Sequence, residues 1–152
     1  MYNSVIICGA LSWLAAQIIK TLLHACKGKK IVMERIVGSG GMPSSHTALV
    51  LSTLIAVGRK DGVSSTAFGI MFVVAAVVIY DAMGVRRAAG LHAKELNRIV
   101  KLLPKLRLGE TENDSNTDPR KELTELLGHT PLEVLGGAVV GIIIALIVPI
   151  KG

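Results

Sequence analysis

A chain of 152 residues with 51% hydrophobic and only 3% aromatic residues has the composition of a helical membrane protein, because a soluble domain would show shorter apolar runs. The net charge of +6 lies on basic residues that flank the apolar runs without aromatic neighbours for base stacking, so anionic lipid headgroups explain it better than nucleic acid. The two cysteines, Cys8 inside an apolar run and Cys26 beyond it, indicate neither a disulfide framework nor a metal site.

Four apolar runs approach the ~20 residues that a helix needs to cross a bilayer. They cover residues 4–23, 45–58, 64–83 and 131–148. The polar segment 59–62 after the short second run is typical of a tight turn, and the apolar and basic positions within 91–108 predict an interfacial amphipathic helix. We therefore predict an all-α integral membrane helical bundle of about four transmembrane helices plus that amphipathic helix.

The whole chain, residues 1–152, is predicted to form a single membrane-embedded domain, with a mobile polar loop at about 109–120. With four spans, only Arg59, Lys60 and Lys151 of the 17 Lys and Arg residues fall on the side of the termini. The positive-inside rule makes the opposite side cytoplasmic. The membrane is expected to be an inner membrane of cell or plastid type. Every polar motif is predicted to face that side.

A glycine-rich stretch, GGMPSSHTA at residues 40–48, leads into the second span. Its glycines allow close backbone approach, and Ser44, Ser45 and the free N–H groups behind them can donate to an anion. His46 lies in the first helical turn, where it can give a proton to a departing oxygen. The alternative interpretation is a serine-capped helix start with an incidental histidine.

The segment before the fourth span, GHTPLEVLGG at residues 128–137, contains a second histidine and a carboxylate. His129 and Glu133 are four residues apart, which on a helix places them on one face, so the carboxylate can hold an imidazole N–H. This relation suits a nucleophilic or basic histidine, because the carboxylate fixes its tautomer and stabilises its cation. Glu133 as a first-turn charge favoured by the helix dipole is the alternative.

Basic residues for phosphate contact occur near the ends of spans: Lys20, Lys27, Arg35, Arg86 and Arg87. The arginine pair is suited to clamp a phosphate, and Asp81 is an intramembrane acid that could pair with one of them. The alternative is that these cations are ordinary interfacial anchors. Two histidines, a carboxylate and several cations on one membrane face suit phosphoryl transfer.

At these residues the chain resembles a known family. The stretches at 43–46 and 128–137 resemble the second and third signature motifs of the type 2 phosphatidic acid phosphatase and vanadium haloperoxidase superfamily, and residues 41–47, 80–90 and 127–137 are similar to its divergent, small bacterial and plant branch. The resemblance implies that His129 attacks phosphorus to form a phosphohistidine, that Glu133 orients it and that His46 protonates the leaving group. Neither a metal nor another cofactor is implied.

The same resemblance implies that Ser44, Ser45 and nearby N–H groups cradle the phosphoryl oxygens. The third motif of the superfamily has an arginine six residues before the nucleophile, where this chain has Leu123. Arg86 or Arg87 would replace it. The cations of the first motif would be replaced by Lys20, Lys27 or Arg35, since no Arg-Pro follows Lys20 at the expected spacing.

An alternative alignment sets Arg86, Gly90 and His92 at the family's spacing, but Leu96 stands where the carboxylate belongs, so His129 is preferred. The implied function is hydrolysis of a lipid phosphate monoester or diphosphate drawn from the surrounding membrane lipids. The alternative function, favoured by the missing motif arginine, is a non-catalytic membrane protein that binds anionic lipid or phosphate. Four spans instead of the more common six leave room for a homodimer.

Overall fold

The computed structural model describes residues 3–26, 41–106 and 128–150, and these residues form five α-helices and no strand. The helices are α1 (Ser4–Cys26), α2 (Ser45–Asp61), α3 (Thr66–Met83), α4 (Val85–Leu106) and α5 (Pro131–Ile147). Two helical stretches in this part of the chain, α1 and residues 66–100 of α3 and α4, are long and apolar enough to cross a membrane, and α5 is a shorter apolar helix. The all-α membrane bundle is confirmed, and the count of four spans stays a prediction.

Several sequence-based predictions lie outside the described residues. They concern the polar loop at 109–120, the phosphate ligands Lys27 and Arg35, and the position of Leu123.

Side-chain caps determine where three helices begin. The Ser44 hydroxyl accepts a hydrogen bond from the Thr47 N–H, and the Ser65 hydroxyl accepts one from the Phe68 N–H. At α5, the Thr130 hydroxyl accepts from the N–H of the third helical residue. Each bond satisfies an N–H that has no partner within its own helix, which explains why these starts lie within two residues of their predicted positions.

The predicted turn at 59–62 is wrong for its first three residues, because α2 continues through Asp61 and is capped by Gly62. The Arg59 guanidinium donates to the carbonyl oxygens of Ala145 and Val148 at the end of α5. This contact places a positive charge at the negative end of the α5 dipole, so the last turn of α2 has a stabilising partner that its polar sequence does not reveal.

Helix α2 lies at the centre of the bundle and packs against α1, α3 and α5. Its backbone comes unusually close to that of α5: a Cβ atom added at Gly137 would collide with the Ser44 carbonyl oxygen, and one at Gly141 would lie 2.8 Å from the Ala48 carbonyl oxygen. On the other side, the Ser12 hydroxyl of α1 donates to the same Ala48 carbonyl oxygen at 3.0 Å. Small residues spaced by four are the usual means of close helix packing in membranes. We call Ser12, Ala48, Gly137 and Gly141 the small-residue seam.

The remaining two helices are less enclosed. On α3, the side chains of Ile70, Phe72 and Val77 are each more than half exposed, as expected for a lipid-facing helix. On α4, a strongly amphipathic helix, Leu96 and Ile99 are half exposed. This pattern is typical of a helix at a membrane surface, and residues 91–106 of the predicted amphipathic segment are helical, while residues 107 and 108 lie outside the described residues.

Candidate active site

The candidate site lies at one end of the bundle, where α1 and α3 end and α2 and α5 begin. A cavity of about 230 Å³ is lined there by four ionisable side chains, His46, His129, Asp81 and Arg86. Its remaining lining residues are Val77, Val78 and Ala82 of α3, which form an apolar wall. His46 and His129 can line one cavity only if α2 and α5 begin side by side. The close packing of these two helices at the small-residue seam produces this arrangement.

The two histidines lie close enough to contact a single phosphoryl group. The ring centroids of His46 and His129 are 6.1 Å apart, and the ring planes are tilted by 54°. A group of tetrahedral oxygens between the rings is within hydrogen-bond reach of both. One imidazole can therefore attack while the other handles a proton.

His129 is held by both its backbone and its ring. The His129 N–H donates to the Ala82 carbonyl oxygen at 2.9 Å, which ties the segment before α5 to the end of α3. The ring atom Nδ1 lies 3.2 Å from Glu133 Oε2, and this contact favours the tautomer with the proton on Nδ1. The ring is 2% exposed, and among the described residues its Nε2 has no hydrogen-bond partner. Nε2 thus carries the lone pair that a nucleophile needs.

Glu133 orients the histidine from a position that also begins the helix. Its Oε2 accepts a second hydrogen bond, from the Thr130 N–H at 3.0 Å, and the two residues form a reciprocal capping box. The Glu133 backbone carbonyl accepts the Ser44 N–H at 2.9 Å. Through these bonds, one residue connects the imidazole, the start of α5 and the start of α2.

The protonation of His129 follows from its surroundings. His129 precedes α5, and burial lowers the pKa of its imidazole below the ordinary value of 6.5. The hydrogen bond and the charge of Glu133 oppose this effect, while the positive charges of Lys20 and Arg86 add to it. The net direction is downward, so the ring is neutral at pH 7 and available as a nucleophile.

Gly128, next to His129, packs directly on the start of α4. Its φ is +84°, and a Cβ atom added there would collide with the backbone nitrogen and Cα of Arg87. Only glycine fits both conditions. Arg86 in turn donates from Nε to Asp81 Oδ2 at 2.6 Å, across the junction of α3 and α4.

The other predicted phosphate ligands lie around this cavity without lining it. Ser44 and Ser45 are buried, and the Ser44 hydroxyl accepts from the backbone and hydroxyl of Thr47. Lys20 is 7% exposed, its stem runs past Gly41, and its charge acts on both histidines and on Glu133.

Two exposed residues also stand apart from the cavity. Arg87 places its backbone against Gly128 while its side chain is exposed. His92, the nucleophile of the alternative alignment, is exposed on α4.

Two contributors were absent from the sequence-based site, the Ala82 carbonyl and the Gly128 backbone, and a third, Asp81, was predicted only as an acid that could pair with an arginine. The sequence feature that indicated a role for Asp81 was its position as a carboxylate at the end of an apolar run, five residues before an arginine. For Gly128, it was a glycine directly before the histidine. The Ala82 carbonyl has no sequence signal, because any residue supplies a carbonyl oxygen.

Comparison with known proteins places the chain in a family. The sequence profile of the Divergent PAP2 family matches residues 1–144. YuiD, an uncharacterized membrane protein of Bacillus subtilis (strain 168), is 33% identical over 139 residues, which cover 87% of this chain and 85% of that protein. No solved structure matches at a significant level. The resemblance seen in the motifs is thereby confirmed, and the chain belongs to the divergent PAP2 family of membrane proteins.

Proposed function

We propose that this protein is a metal-independent phosphatase of membrane lipid phosphates that works through a phosphohistidine on His129. One observation carries the proposal: within the described part of the chain, the buried Nε2 of His129 has no partner, while Nδ1 is paired with Glu133 and His46 shares the cavity. A histidine that served packing alone would not need a carboxylate, a second histidine and an arginine around one cavity.

The proposed reaction has two steps. In the first, His129 Nε2 attacks phosphorus, the bond from phosphorus to the ester oxygen breaks, and His46 gives that oxygen a proton. Glu133 stabilises the positive charge that develops on the His129 ring, and Arg86 offsets the negative charge of the phosphoryl oxygens. In the second, water loses a proton to His46 and attacks the phosphohistidine, which releases inorganic phosphate and restores Nε2.

The apolar wall of the cavity supports a lipid substrate. Val77 and Val78 line the cavity on α3, a helix whose outer surface is apolar and exposed. The acyl or prenyl chain of such a lipid can stay against the apolar outer surface of this helix while its phosphate, at the membrane interface, reaches the two histidines. The proposed class is a lipid phosphate monoester or diphosphate, such as phosphatidate, phosphatidylglycerol phosphate or an isoprenoid phosphate.

The test is phosphate release by the purified full-length protein in detergent from a panel of these lipids, with and without EDTA. Chelator-resistant release supports the proposal, and the panel identifies the substrate class. In sealed vesicles, release only from substrate on the cytoplasmic side supports a site on that face. Binding of orthovanadate without release from any lipid contradicts the proposal and supports the non-catalytic alternative.

The pH dependence tests the state of His129. We expect kcat/KM to fall as the pH decreases, with a midpoint below the ordinary histidine value of 6.5, because burial lowers the pKa of His129 and the ring stays neutral until lower pH. Glu133→Gln removes a carboxylate that raises this pKa, so the acid limb moves to still lower pH while kcat decreases. An acid limb of kcat/KM with its midpoint above pH 6.5, or a shift of that midpoint to higher pH in Glu133→Gln, would contradict the assignment.

A further inference from the structure

The last turn of α3 holds two parts of the candidate site at once. The Ala82 carbonyl accepts the N–H of His129 at 2.9 Å, and the adjacent Asp81 carboxylate accepts Arg86 Nε at 2.6 Å. Asp81 and Arg86 both line the cavity that contains the histidines. The reaction described above uses His129 and Arg86 but gives Asp81 no part.

We propose that Asp81 is a positioning residue that directs the Arg86 guanidinium toward the phosphoryl group; this inference rests on the proposed function. A guanidinium has donors on Nε and on two terminal nitrogens, and Asp81 accepts from Nε. The terminal nitrogens are thereby left for phosphoryl oxygens, in the paired geometry that arginine forms with phosphate. The pair thus takes the place of the arginine that the third motif lacks.

Two features set this ion pair apart from an ordinary surface pair. The Arg86 backbone is already confined by the close packing of Gly128 on the start of α4, so the side-chain direction is what remains to be fixed. The side chains of Arg86 and Asp81 are 51% and 37% exposed, and half-exposed ion pairs contribute little to folding. A placement role at the cavity accounts for the pair better than a stability role.

A second pair on α4 serves as the matched control. Arg98 and Glu95 are also an arginine and a carboxylate, separated by 3.8 Å, with side chains 73% and 62% exposed. Neither residue lines the cavity that contains the two histidines. Removal of the Glu95 carboxylate therefore reports the effect of losing a surface ion pair alone.

The experiment measures orthovanadate affinity of the full-length protein in detergent, beside kcat and KM for the best lipid substrate. We expect Asp81→Ala to weaken vanadate binding and to raise KM, each about tenfold, since a charge-assisted hydrogen bond that directs a phosphate ligand is lost. Asp81→Asn keeps an oxygen that accepts from Nε and should restore most of the affinity. Glu95→Ala should bind vanadate as the unaltered protein does.

A charge swap separates positioning from structural support. Asp81→Arg combined with Arg86→Asp keeps an ion pair between α3 and α4 but moves the guanidinium, so we expect the vanadate affinity to stay low. Recovery of affinity in the swap, or an Asp81→Ala effect no larger than that of Glu95→Ala, would overturn the proposal. If the affinities follow the expected order but no lipid is hydrolysed, the positioning role stands and the phosphatase proposal fails. Absence of vanadate binding to the unaltered protein overturns both.

Discussion

His129→Ala is expected to abolish lipid phosphate hydrolysis, with a loss of at least about 10³-fold in kcat, because the proposed covalent intermediate forms on His129 Nε2. The His129 ring is 2% exposed and its Nδ1 is already committed to Glu133, so only Nε2 is left to attack phosphorus. The measurement is phosphate release over time, together with transfer of labelled phosphate to the protein. The unaltered protein should acquire label that is stable in base and lost in acid, as phosphohistidine is, and the variant should acquire none.

His46→Ala distinguishes the general acid from the nucleophile. Loss of a proton donor costs roughly 10²–10⁴-fold on a lipid phosphate, whose alkoxide leaves poorly. On p-nitrophenyl phosphate the first step should be largely retained and seen as a burst of p-nitrophenolate, because p-nitrophenolate departs without a proton, although later turnover still needs His46 to activate water. His129→Ala should show no burst and no turnover. His92→Ala is the matched control, since this exposed histidine of α4 does not line the cavity. Absence of the p-nitrophenolate burst in His46→Ala, or inactivation by His92→Ala, would refute these assignments.

Gly128→Ala is expected to destabilise the protein by about 2–5 kcal/mol and to remove most of its turnover. Part of the cost, roughly 1–2 kcal/mol, comes from the positive φ of +84° at this residue. The larger part comes from the added methyl group, which collides with the Arg87 backbone and forces apart the segment that carries His129 and the start of α4; such overpacking typically costs about 1–3 kcal/mol. Thermal denaturation in detergent and phosphate release measure the two effects.

Gly62→Ala provides the control for that experiment. Gly62 has the same φ of +84°, but nothing lies within 4 Å of the position that its Cβ would occupy. This variant should therefore pay the conformational cost alone and keep its turnover. If the two variants lose equal stability and activity, the contact between Gly128 and Arg87 has no role in the site.

The helices were predictable because local chemistry marks their starts. Ser44, Ser65 and Thr130 stand at the boundaries between polar segments and apolar runs, where a side-chain oxygen caps the first turn. The end of α2 was mispredicted because three consecutive polar residues resemble a turn. Arg59 belongs to the helix since it reaches the last carbonyls of α5, 86 and 89 residues further along the chain, and no local pattern encodes such a contact.

Contacts of the site between residues close in the sequence could be predicted, whereas contacts between residues far apart in the sequence could not. His129 and Glu133 are four residues apart, and their contact was predicted, although His129 precedes α5 and the contact forms across the helix cap. Asp81 and Arg86 are five residues apart across the junction of α3 and α4, and their pairing was predicted only as a possibility. That both pairs meet around one cavity depends on the order in which the helices pack. The close approach of Gly128 to the Arg87 backbone depends on the same packing, and the sequence shows only a glycine there.

The small-residue seam sets the separation of the two imidazoles without touching either of them. Burial of apolar surface gives little advantage inside a bilayer, so α2 and α5 associate where their backbones fit. A one-residue shift of α5 would bring Ile142 to the crossing now occupied by Gly141, where even one added carbon would lie 2.8 Å from a carbonyl oxygen. The small-residue seam therefore fits in only one register of α5 against α2. That register brings residue 46 beside residue 129. A substitution at Gly141, about two turns from the cavity, can therefore separate the two imidazoles as effectively as a substitution within the cavity.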